Sequence, residues 1–323
     1  MSKLSYIAVD IGASNLRVAK GDERGIRAKI NEPIDKRNGA QGVSSQIIRL
    51  IQELVEYPEA IGIGSIGPLD LEKGMITNTP NYPFQDIEVK KPLIEAFETT
   101  IVIANDCSAA VLGEKTFGAG KSTNNLFYVT LSTGLGGGAI VDGYLLKGKD
   151  GNAVEIGHLT IYPDSRIMCG CGSPGHWEAF CGGKNIPYFA RTMLRRLHWR
   201  SSLLNDLCQG NPRKITTKMI FDAARQGDDT SISIVEEVGK INAVGFADII
   251  NAYDPELITI GGAVALNNPE MIMLPIEHYT PRYVINRMPK IILTPLGEDA
   301  VLYGGLALAL KGKVSAVSAS NHP

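Results

Sequence analysis

Three features that mark specialised proteins are scarce or missing in this 323-residue sequence. Five cysteines are too few, and odd in number, for a disulfide framework. The 32 basic and 34 acidic residues nearly cancel, which excludes a strong attraction to nucleic acid or to an acidic membrane. No apolar run approaches the roughly 20 residues of a membrane span, and the first residues lack the apolar segment of a signal peptide. We therefore expect a cytoplasmic protein without nucleic-acid or membrane partners.

Glycine, by contrast, is abundant, with 35 residues, and much of it is concentrated in a few short segments. Such concentration is typical of backbone that approaches a ligand closely. Hydrophobic residues make up 44% of the chain and charged residues 20%, which suffices for packed cores and excludes a disordered chain. At about 150 residues per domain, the length predicts two domains.

Apolar segments and glycine turns follow one another in the same order twice, with Val129 corresponding to Val9. The first series has predicted strands near 5–9, 16–20, 26–31 and 60–64 and a helix over 43–55. The second has strands near 126–131, 139–141 and 257–260 and a helix over 231–253. We predict an α/β fold made of a duplicated β-β-β-α-β unit, with two mixed-sheet lobes around a cleft. The lobes would span 1–120 and 121–323, with an insertion near 144–230 and a C-terminal helix that can return to the first lobe.

Two glycine-rich turns lie at corresponding positions of this repeat. Asp10-x-Gly12 follows the first strand, and Thr133-Gly134-x-Gly136-Gly-Gly138 follows its counterpart. A polyphosphate needs several backbone N–H donors at close range, and glycine permits that approach. Each turn alone can equally be a tight hairpin, but the matched positions and a third pair, Gly261-Gly262, favour nucleotide binding. Neither turn has the spacing of a Walker loop or of a dinucleotide-binding motif.

An Asn105-Asp106 pair ends the apolar strand at 101–104 and opens an alanine-rich helix. At that position Asp106 can simply cap the helix. It can also act as a general base at a strand end in the cleft, because phosphoryl transfer to an alcohol needs a carboxylate that orients the hydroxyl and accepts its proton.

The predicted insertion carries a group of metal-ligand side chains. Four of them can supply tetrahedral nitrogen and sulfur ligands for zinc, and neighbouring glycines let the chain wrap around an ion. They are His158, Cys169, Cys171 and His176. The alternative is two buried thiols and two unrelated surface histidines. Cys181 is a spare ligand candidate, whereas Cys107 and Cys208 are expected to be packing residues.

Taken together, these motifs resemble the ROK family of sugar kinases and repressors. The resemblance runs from about residue 5 to 310 and rests on Val9-Asp10-Ile-Gly12, Asn105-Asp106-x-x-Ala-Ala-x-x-Gly113-Glu114, Ser132-Thr-Gly-Leu-Gly-Gly-Gly138, Glu155-Ile-Gly-His158, Cys169-Gly-Cys171-Gly and Ile260-Gly-Gly262. It implies a duplicated actin-like, ribonuclease-H-like ATPase fold and an ATP-dependent sugar kinase of the glucokinase or hexokinase type.

The resemblance also implies roles for individual residues. Asp106 would be the catalytic base for a sugar hydroxyl, usually the one on carbon 6. The sugar ring would be bound by Asn81, Asn105, Glu155, His158 and Glu178. The Mg²⁺-nucleotide would be held by Asp10, Gly12, Ser14, Thr133, Gly134, Gly136, Gly261 and Gly262. His158 would contact sugar through one ring nitrogen and zinc through the other. Family members are commonly dimers or tetramers, so a homo-oligomer is expected.

The sequence departs from the family pattern in two places. His176 stands where the family usually has a third cysteine, although imidazole is a competent zinc ligand. Asn15 stands where members commonly have lysine, so phosphate contacts in the first turn would come from backbone and hydroxyl groups.

Three alternatives remain beside a glucokinase. An N-acetylmannosamine or N-acetylglucosamine kinase would use the same motifs on a different sugar. A sugar-responsive repressor carries a helix-turn-helix domain before the Asp-x-Gly strand, and the nine residues before Asp10 are too few for one. An actin- or chaperone-like ATPase lacks the Glu-x-Gly-His motif with a cysteine cluster. The expected partners are therefore a small sugar and ATP.

Overall fold

The fold is given by a computed structural model, which describes residues 5–77, 79 and 82–319. The strands of this part of the chain are β1 (Tyr6–Ile11), β2 (Asn15–Asp22), β3 (Gly25–Pro33), β4 (Ala60–Ser65), β5 (Leu69–Asp70), β6 (Met75–Ile76), β7 (Ile87–Glu88), β8 (Thr100–Asn105), β9 (Leu126–Leu131), β10 (Leu135–Val141), β11 (Tyr144–Leu145), β12 (Leu257–Gly261) and β13 (Lys290–Leu293). Its α-helices are α1 (Gly39–Leu54), α2 (Lys90–Phe97), α3 (Asp106–Thr116), α4 (Glu178–Cys181), α5 (Ile186–Met193), α6 (Leu203–Leu207), α7 (Thr217–Arg225), α8 (Asp229–Tyr253), α9 (Ala263–Asn267), α10 (Pro269–Tyr279) and α11 (Ala300–Ala319).

The first five-stranded sheet has the order β3-β2-β1-β4-β8. β1 runs antiparallel to β2 and parallel to β4, and β4 runs parallel to β8. Every residue of β1 and β4 is buried, as expected of central strands covered on both faces. α1 belongs to the hydrophobic core on one side, whereas α11 packs directly on β1 and β4. A Cβ at Gly62 would overlap the Gly305 carbonyl, so the close approach of α11 to the sheet requires glycine.

The second five-stranded sheet has the order β11-β10-β9-β12-β13, which repeats the first sheet position by position. The predicted duplication of an α/β unit is therefore confirmed. The copies differ in their third strand, which has nine residues in β3 and two in β11. Between the third and fourth strands, the first copy has α1, whereas the second copy has α4 to α8.

The chain divides into two compact units. The first comprises Met1–Tyr128, Gly138–Val154 and Thr294–Pro323, and the second comprises Val129–Gly137 and Glu155–Leu293. α11 belongs to the first unit, where it packs on α3 as well as on the sheet. The division of function between lobes meeting at residue 120 stays a prediction. In the part of the chain that the structure describes, no helix has the length and hydropathy needed to cross a bilayer.

The core of the second unit contains a buried hydrogen bond next to Glu178, a predicted sugar contact. Trp177 is fully buried against α8, and its Nε1–H donates to Asn242 Oδ1 at 2.9 Å. A Cβ at Gly245 would collide with the indole ring, so α8 accommodates the tryptophan only through that glycine. Because Trp177 directly precedes Glu178, this contact anchors the start of α4.

Candidate active site and metal centre

The first unit carries Asp106 at the start of α3. β8 ends at Asn105, whose Oδ1 accepts the Cys107 N–H at 2.9 Å and caps the helix. Asp106 Oδ1 lies 2.7 Å from the same nitrogen, and both side chains are partly exposed. Since Asn105 occupies the cap position, capping alone does not explain a carboxylate at Asp106. Its place at the carboxyl end of a parallel strand is where α/β sheets bind ligands.

Asp10 lies at the same edge of the first sheet as Asn105. Asp10 pairs with Gly64 of β4, and Gly64 pairs with Ala104 of β8, so two strand spacings of about 4.8 Å separate these strand ends. Asp10 is only 6% exposed, and burial raises the pKa of its carboxyl, while the neighbouring Arg17 guanidinium opposes that rise. A carboxylate oxygen is the hard ligand that Mg²⁺ accepts, so the donor type fits that ion.

The turn between β1 and β2 contains Gly12 and Ser14. The Gly12 N–H donates to the Asn15 carbonyl at 2.9 Å, and the Gly12 carbonyl accepts the Tyr82 hydroxyl at 2.5 Å. Ser14 is exposed, and its carbonyl accepts the Ile34 N–H at 2.9 Å. These three backbone groups of the turn are thus paired within the protein, and the Ser14 side chain is exposed.

In the second unit, the glycine loop after β9 packs against Glu178. Glu178 Oε2 accepts the Leu135 N–H at 2.9 Å, and a Cβ added at Gly134 would lie 2.6 Å from the same oxygen. Thr133 is exposed at the top of this loop, and Gly136 lies in β10 with partial exposure. The absence of a side chain at Gly134 therefore lets a carboxylate and a glycine loop come into contact.

The Gly261-Gly262 pair meets the same loop. β12 ends at Gly261, and Gly262 adopts φ +88°, a conformation that favours glycine. A Cβ at Gly262 would overlap the Leu131 carbonyl at the end of β9. The structure thus brings together two of the three glycine motifs predicted to hold a nucleotide.

A pocket of about 600 Å³ opens beside Gly262. Its walls come from α7 and from the segment around α9, and include Phe221, Val264 and Asn268. Thr217 of the pocket donates its hydroxyl hydrogen bond to the Gly183 carbonyl, and the Gly183 N–H donates to the Ser132 carbonyl at 2.8 Å. This chain of contacts joins the pocket to the loop that carries Thr133 and Gly134.

The predicted zinc ligands His158, Cys169, Cys171 and His176 form one group in the second unit, and one ligand atom from each lies within 4.8 Å of all the others. Cys169 Sγ is 3.8 Å from His158 Nδ1, and Cys171 Sγ is 3.2 Å from His176 Nδ1. Burial raises the pKa of the Cys169 thiol to about 12, an effect to which the Glu178 charge adds. Two thiols and two imidazoles at these distances fit a tetrahedral zinc ion.

His158 faces this group with one ring nitrogen and a carboxylate with the other. Its Nε2 is 3.8 Å from Glu155 Oε2, while Nδ1 points at Cys169. Local desolvation raises the pKa of the Glu155 carboxyl, with His158 opposing and Glu178 adding to the rise. Glu178 Oε1 is 3.6 Å from Cys169 Sγ, so the predicted sugar-binding side chains of this unit adjoin the predicted metal ligands.

Some sequence predictions need qualification, and some features were missed. Asn81, predicted to bind sugar, lies outside the described residues. The spare ligand Cys181 is not in the four-residue group; its thiol donates to the Val238 carbonyl at 3.5 Å. Sequence reasoning missed Arg17 as the partner of Asp10, although a seven-residue spacing across a hairpin could have suggested it. It also missed the pocket, because no local pattern brings α7 to Gly262.

Two sheets of identical strand order, with a carboxylate at a strand end and glycine turns after corresponding strands, define the actin-like ATPase fold. Solved structures agree. The crystal structure of a ROK family glucokinase from Streptomyces griseus, in complex with glucose and AMPPNP, superposes with a TM-score of 0.80 at 30% identity, covering 95% of this chain and 99% of the other. The ROK hexokinase from Thermus thermophilus gives 0.80 at 29% identity over 97% and 100%.

The chain belongs to the ROK family, whose sequence profile matches residues 6–312. It is 38% identical over 311 residues to the glucokinase of Pyrobaculum calidifontis, covering 95% of each chain. It is 34% identical to the glucokinase of Thermotoga maritima, covering 95% of this chain and 98% of that one. The predicted family and the predicted actin-like fold are both confirmed.

Proposed function

We propose that this protein transfers the γ-phosphoryl group of ATP to the 6-hydroxyl of glucose, with Asp106 as the general base. That it is an ATP-dependent sugar kinase rests on its family and on the glucokinases to which it is 34–38% identical over nearly its whole length. The observation that carries the choice of general base is the position of Asp106, which follows the last residue of β8, directly after the residue that caps α3, and is partly exposed.

In the proposed step, Asp106 accepts the proton of the sugar hydroxyl as its oxygen bonds to the γ-phosphorus. The bond between that phosphorus and the β,γ-bridging oxygen breaks, and ADP leaves with the electron pair. A positioned carboxylate contributes about 10²–10⁴-fold to such a transfer. The remaining acceleration comes from alignment of the hydroxyl with the phosphoryl group and from charge stabilisation.

The proposed sugar contacts are assigned unit by unit. Asn105 and Asp106 belong to the first unit, and Glu155, His158 and Glu178 belong to the second. Carboxylates accept hydrogen bonds from sugar hydroxyls, whereas the Asn105 amide and the Nε2–H of a His158 that binds zinc through Nδ1 donate. Asn81 stays a predicted sugar contact.

For the nucleotide, the proposal assigns phosphates to the glycine turns and the base to the pocket beside Gly262. The phosphate-side residues are Asp10, Gly12, Ser14, Thr133, Gly134, Gly136, Gly261 and Gly262. Two hydrogen bonds support this position for the nucleotide's base. They link the pocket, through Thr217 and Gly183, to the loop at Thr133. Asp10 would hold the nucleotide magnesium, which neutralises charge that develops on the phosphates.

The zinc proposal rests on the donor set. His158, Cys169, Cys171 and His176 would hold a structural ion that fixes the ring of His158 and the backbone around Glu178. The proposal also includes a homo-oligomeric state and a cytoplasmic location.

A coupled assay of ADP formation over several acceptors tests the proposed substrate. Glucose, mannose, fructose, N-acetylglucosamine and N-acetylmannosamine are compared at a fixed ATP concentration. We expect the highest kcat/KM for glucose, and ADP formation without sugar slower by orders of magnitude. Preference for an N-acetyl hexosamine would move the assignment to that kinase, and transfer to none of the five would refute it.

A further inference from the structure

We infer that Arg17 is a positioning residue of the nucleotide site, which acts by holding the Asp10 carboxylate in the orientation that a magnesium-bound nucleotide requires. The inference rests on the proposed role of Asp10 and adds a residue that neither the motifs nor the comparisons single out. Arg17 is the first cationic residue after Asp10 along the chain.

The contact between Arg17 and Asp10 is directional. Arg17 Nε donates to Asp10 Oδ2 at 2.7 Å, and Nη2 donates to the same oxygen. Two donors on one oxygen fix the position of Oδ2 and leave Oδ1 outside the pair. The two residues face each other directly across the antiparallel β1–β2 pairing, so the sheet itself sets their separation.

The guanidinium is held from its other side as well. Arg17 Nη1 donates to the Glu298 carbonyl at 2.6 Å and lies 3.6 Å from Asp299 Oδ1. Asp299 also pairs with Lys29 at 2.6 Å. Glu298 and Asp299 lie immediately before α11, so contacts to all three guanidinium nitrogens fix Arg17 between the first sheet and the start of that helix.

The burial of Asp10 explains why a partner cation matters. Asp10 is nearly buried, and buried charges in proteins are paired. Arg17 supplies the compensating charge at the carboxylate itself, and its fork of donors gives an orientation that the single ammonium of a lysine cannot reproduce.

The test compares Arg17→Met and Arg17→Lys with the wild type, using Arg27→Met as the matched control. Arg27 lies on the adjacent strand β3 and pairs with the partly exposed Asp22, so its loss removes an ion pair near the first sheet without reaching Asp10. Calorimetry gives the Kd of AMPPNP with saturating Mg²⁺ and with EDTA, and thermal unfolding reports folding separately.

We expect R17M to weaken binding of Mg²⁺-AMPPNP by about tenfold or more, the range found when an outer hydrogen-bond partner of a metal ligand is lost. Binding of the metal-free analogue should change by less than about threefold, R17K should lie between R17M and the wild type, and R27M should match the wild type. Adding R17M to D10N should weaken Mg²⁺-AMPPNP binding no further.

Two results would overturn the inference. A folded R17M that binds Mg²⁺-AMPPNP like the wild type would reduce Arg17 to a structural ion pair. Equal weakening with and without Mg²⁺ would place Arg17 on the phosphates and not on Asp10. If R17M does not fold, R17K decides, because wild-type affinity in that variant also refutes positioning. Because nucleotide binding is measured without sugar, failure of glucose phosphorylation in the wild type would refute the proposed function separately.

Discussion

Loss of one proposed zinc ligand is the perturbation whose effect the structure predicts most sharply. Cys171→Ser removes a thiol that is exposed, so the variant tests ligation without opening a cavity in the core. Zinc–sulfur bonds of about 2.3 Å and zinc–nitrogen bonds of about 2.0 Å in a tetrahedron imply ligand separations of about 3.3–3.8 Å. The observed sulfur–nitrogen pairs of 3.2 and 3.8 Å lie on either side of the sulfur–nitrogen edge of about 3.5 Å, and one ligand atom from each residue lies within 4.8 Å of all the others.

The expected magnitude follows from the number of ligands. Structural zinc sites have apparent binding free energies of about 10–16 kcal/mol at pH 7, or about 2.5–4 kcal/mol for each of four ligands. C171S should therefore bind zinc about 100- to 1,000-fold more weakly than the wild type. Removing zinc should also raise the KM for sugar, because His158 and Glu178 adjoin the group.

Elemental analysis after dialysis against a chelator measures the zinc content, and a competition titration gives the affinity. The wild type should retain one zinc per chain, His176→Cys should retain it, and C171S should lose it. Cys208→Ala is the matched control, since Cys208 is a thiol outside the group and should leave zinc unchanged. Full zinc content in C171S, or a zinc-free wild type with an unchanged KM, would refute the reasoning.

Three further predictions concern stability, each measured by urea unfolding. Gly138→Ala should cost about 1–3 kcal/mol, because its Cβ would overlap the Cys107 carbonyl; unchanged stability would contradict this packing. Asn242→Leu should cost about 1–3 kcal/mol by leaving the buried Trp177 N–H unpaired. Burial raises the pKa of Glu114 above 4.5, so its protonation stabilises the folded state below that pH and the benefit is lost as pH rises through the folded pKa. Glu114→Gln should remove this dependence of the unfolding free energy on pH, and an unchanged pH dependence would exclude Glu114 as its source.

The repeated strand order could be predicted because apolar runs end in glycine turns that are visible in the sequence. β1 and β9 were both placed to within two residues, and the turns after them mark the duplication. The insertion could not be resolved in the same way. Its helices α4 to α6 span four to eight residues, too short for a helical period to stand out. In the first unit, the strands β5 to β7 have two residues each, too few for an alternation of apolar and polar residues to be recognised.

The ligand types of the site could be predicted from the sequence more readily than its long-range contacts. His158 and the Cys-x-Cys segment predict a group of metal ligands, since sulfur and imidazole ligands at short spacing have few other uses. The contact between Glu178 and the Leu135 N–H joins residues 43 positions apart, and only the fold brings them together. For the same reason the anchoring of Arg17 by Glu298, 281 residues away, has no local signal in the sequence.

The most direct test of the account is the kcat of Asp106→Ala for glucose-dependent ADP formation, with binding of glucose and AMPPNP measured in the same preparation. The matched control is Asp150→Ala, which removes an exposed aspartate that pairs with its neighbour Lys149. We expect D106A to lose at least about 100-fold in kcat while ligand binding is largely retained, because a general base acts on the transition state. A D106A enzyme that keeps more than about a tenth of the wild-type kcat would contradict the central claim.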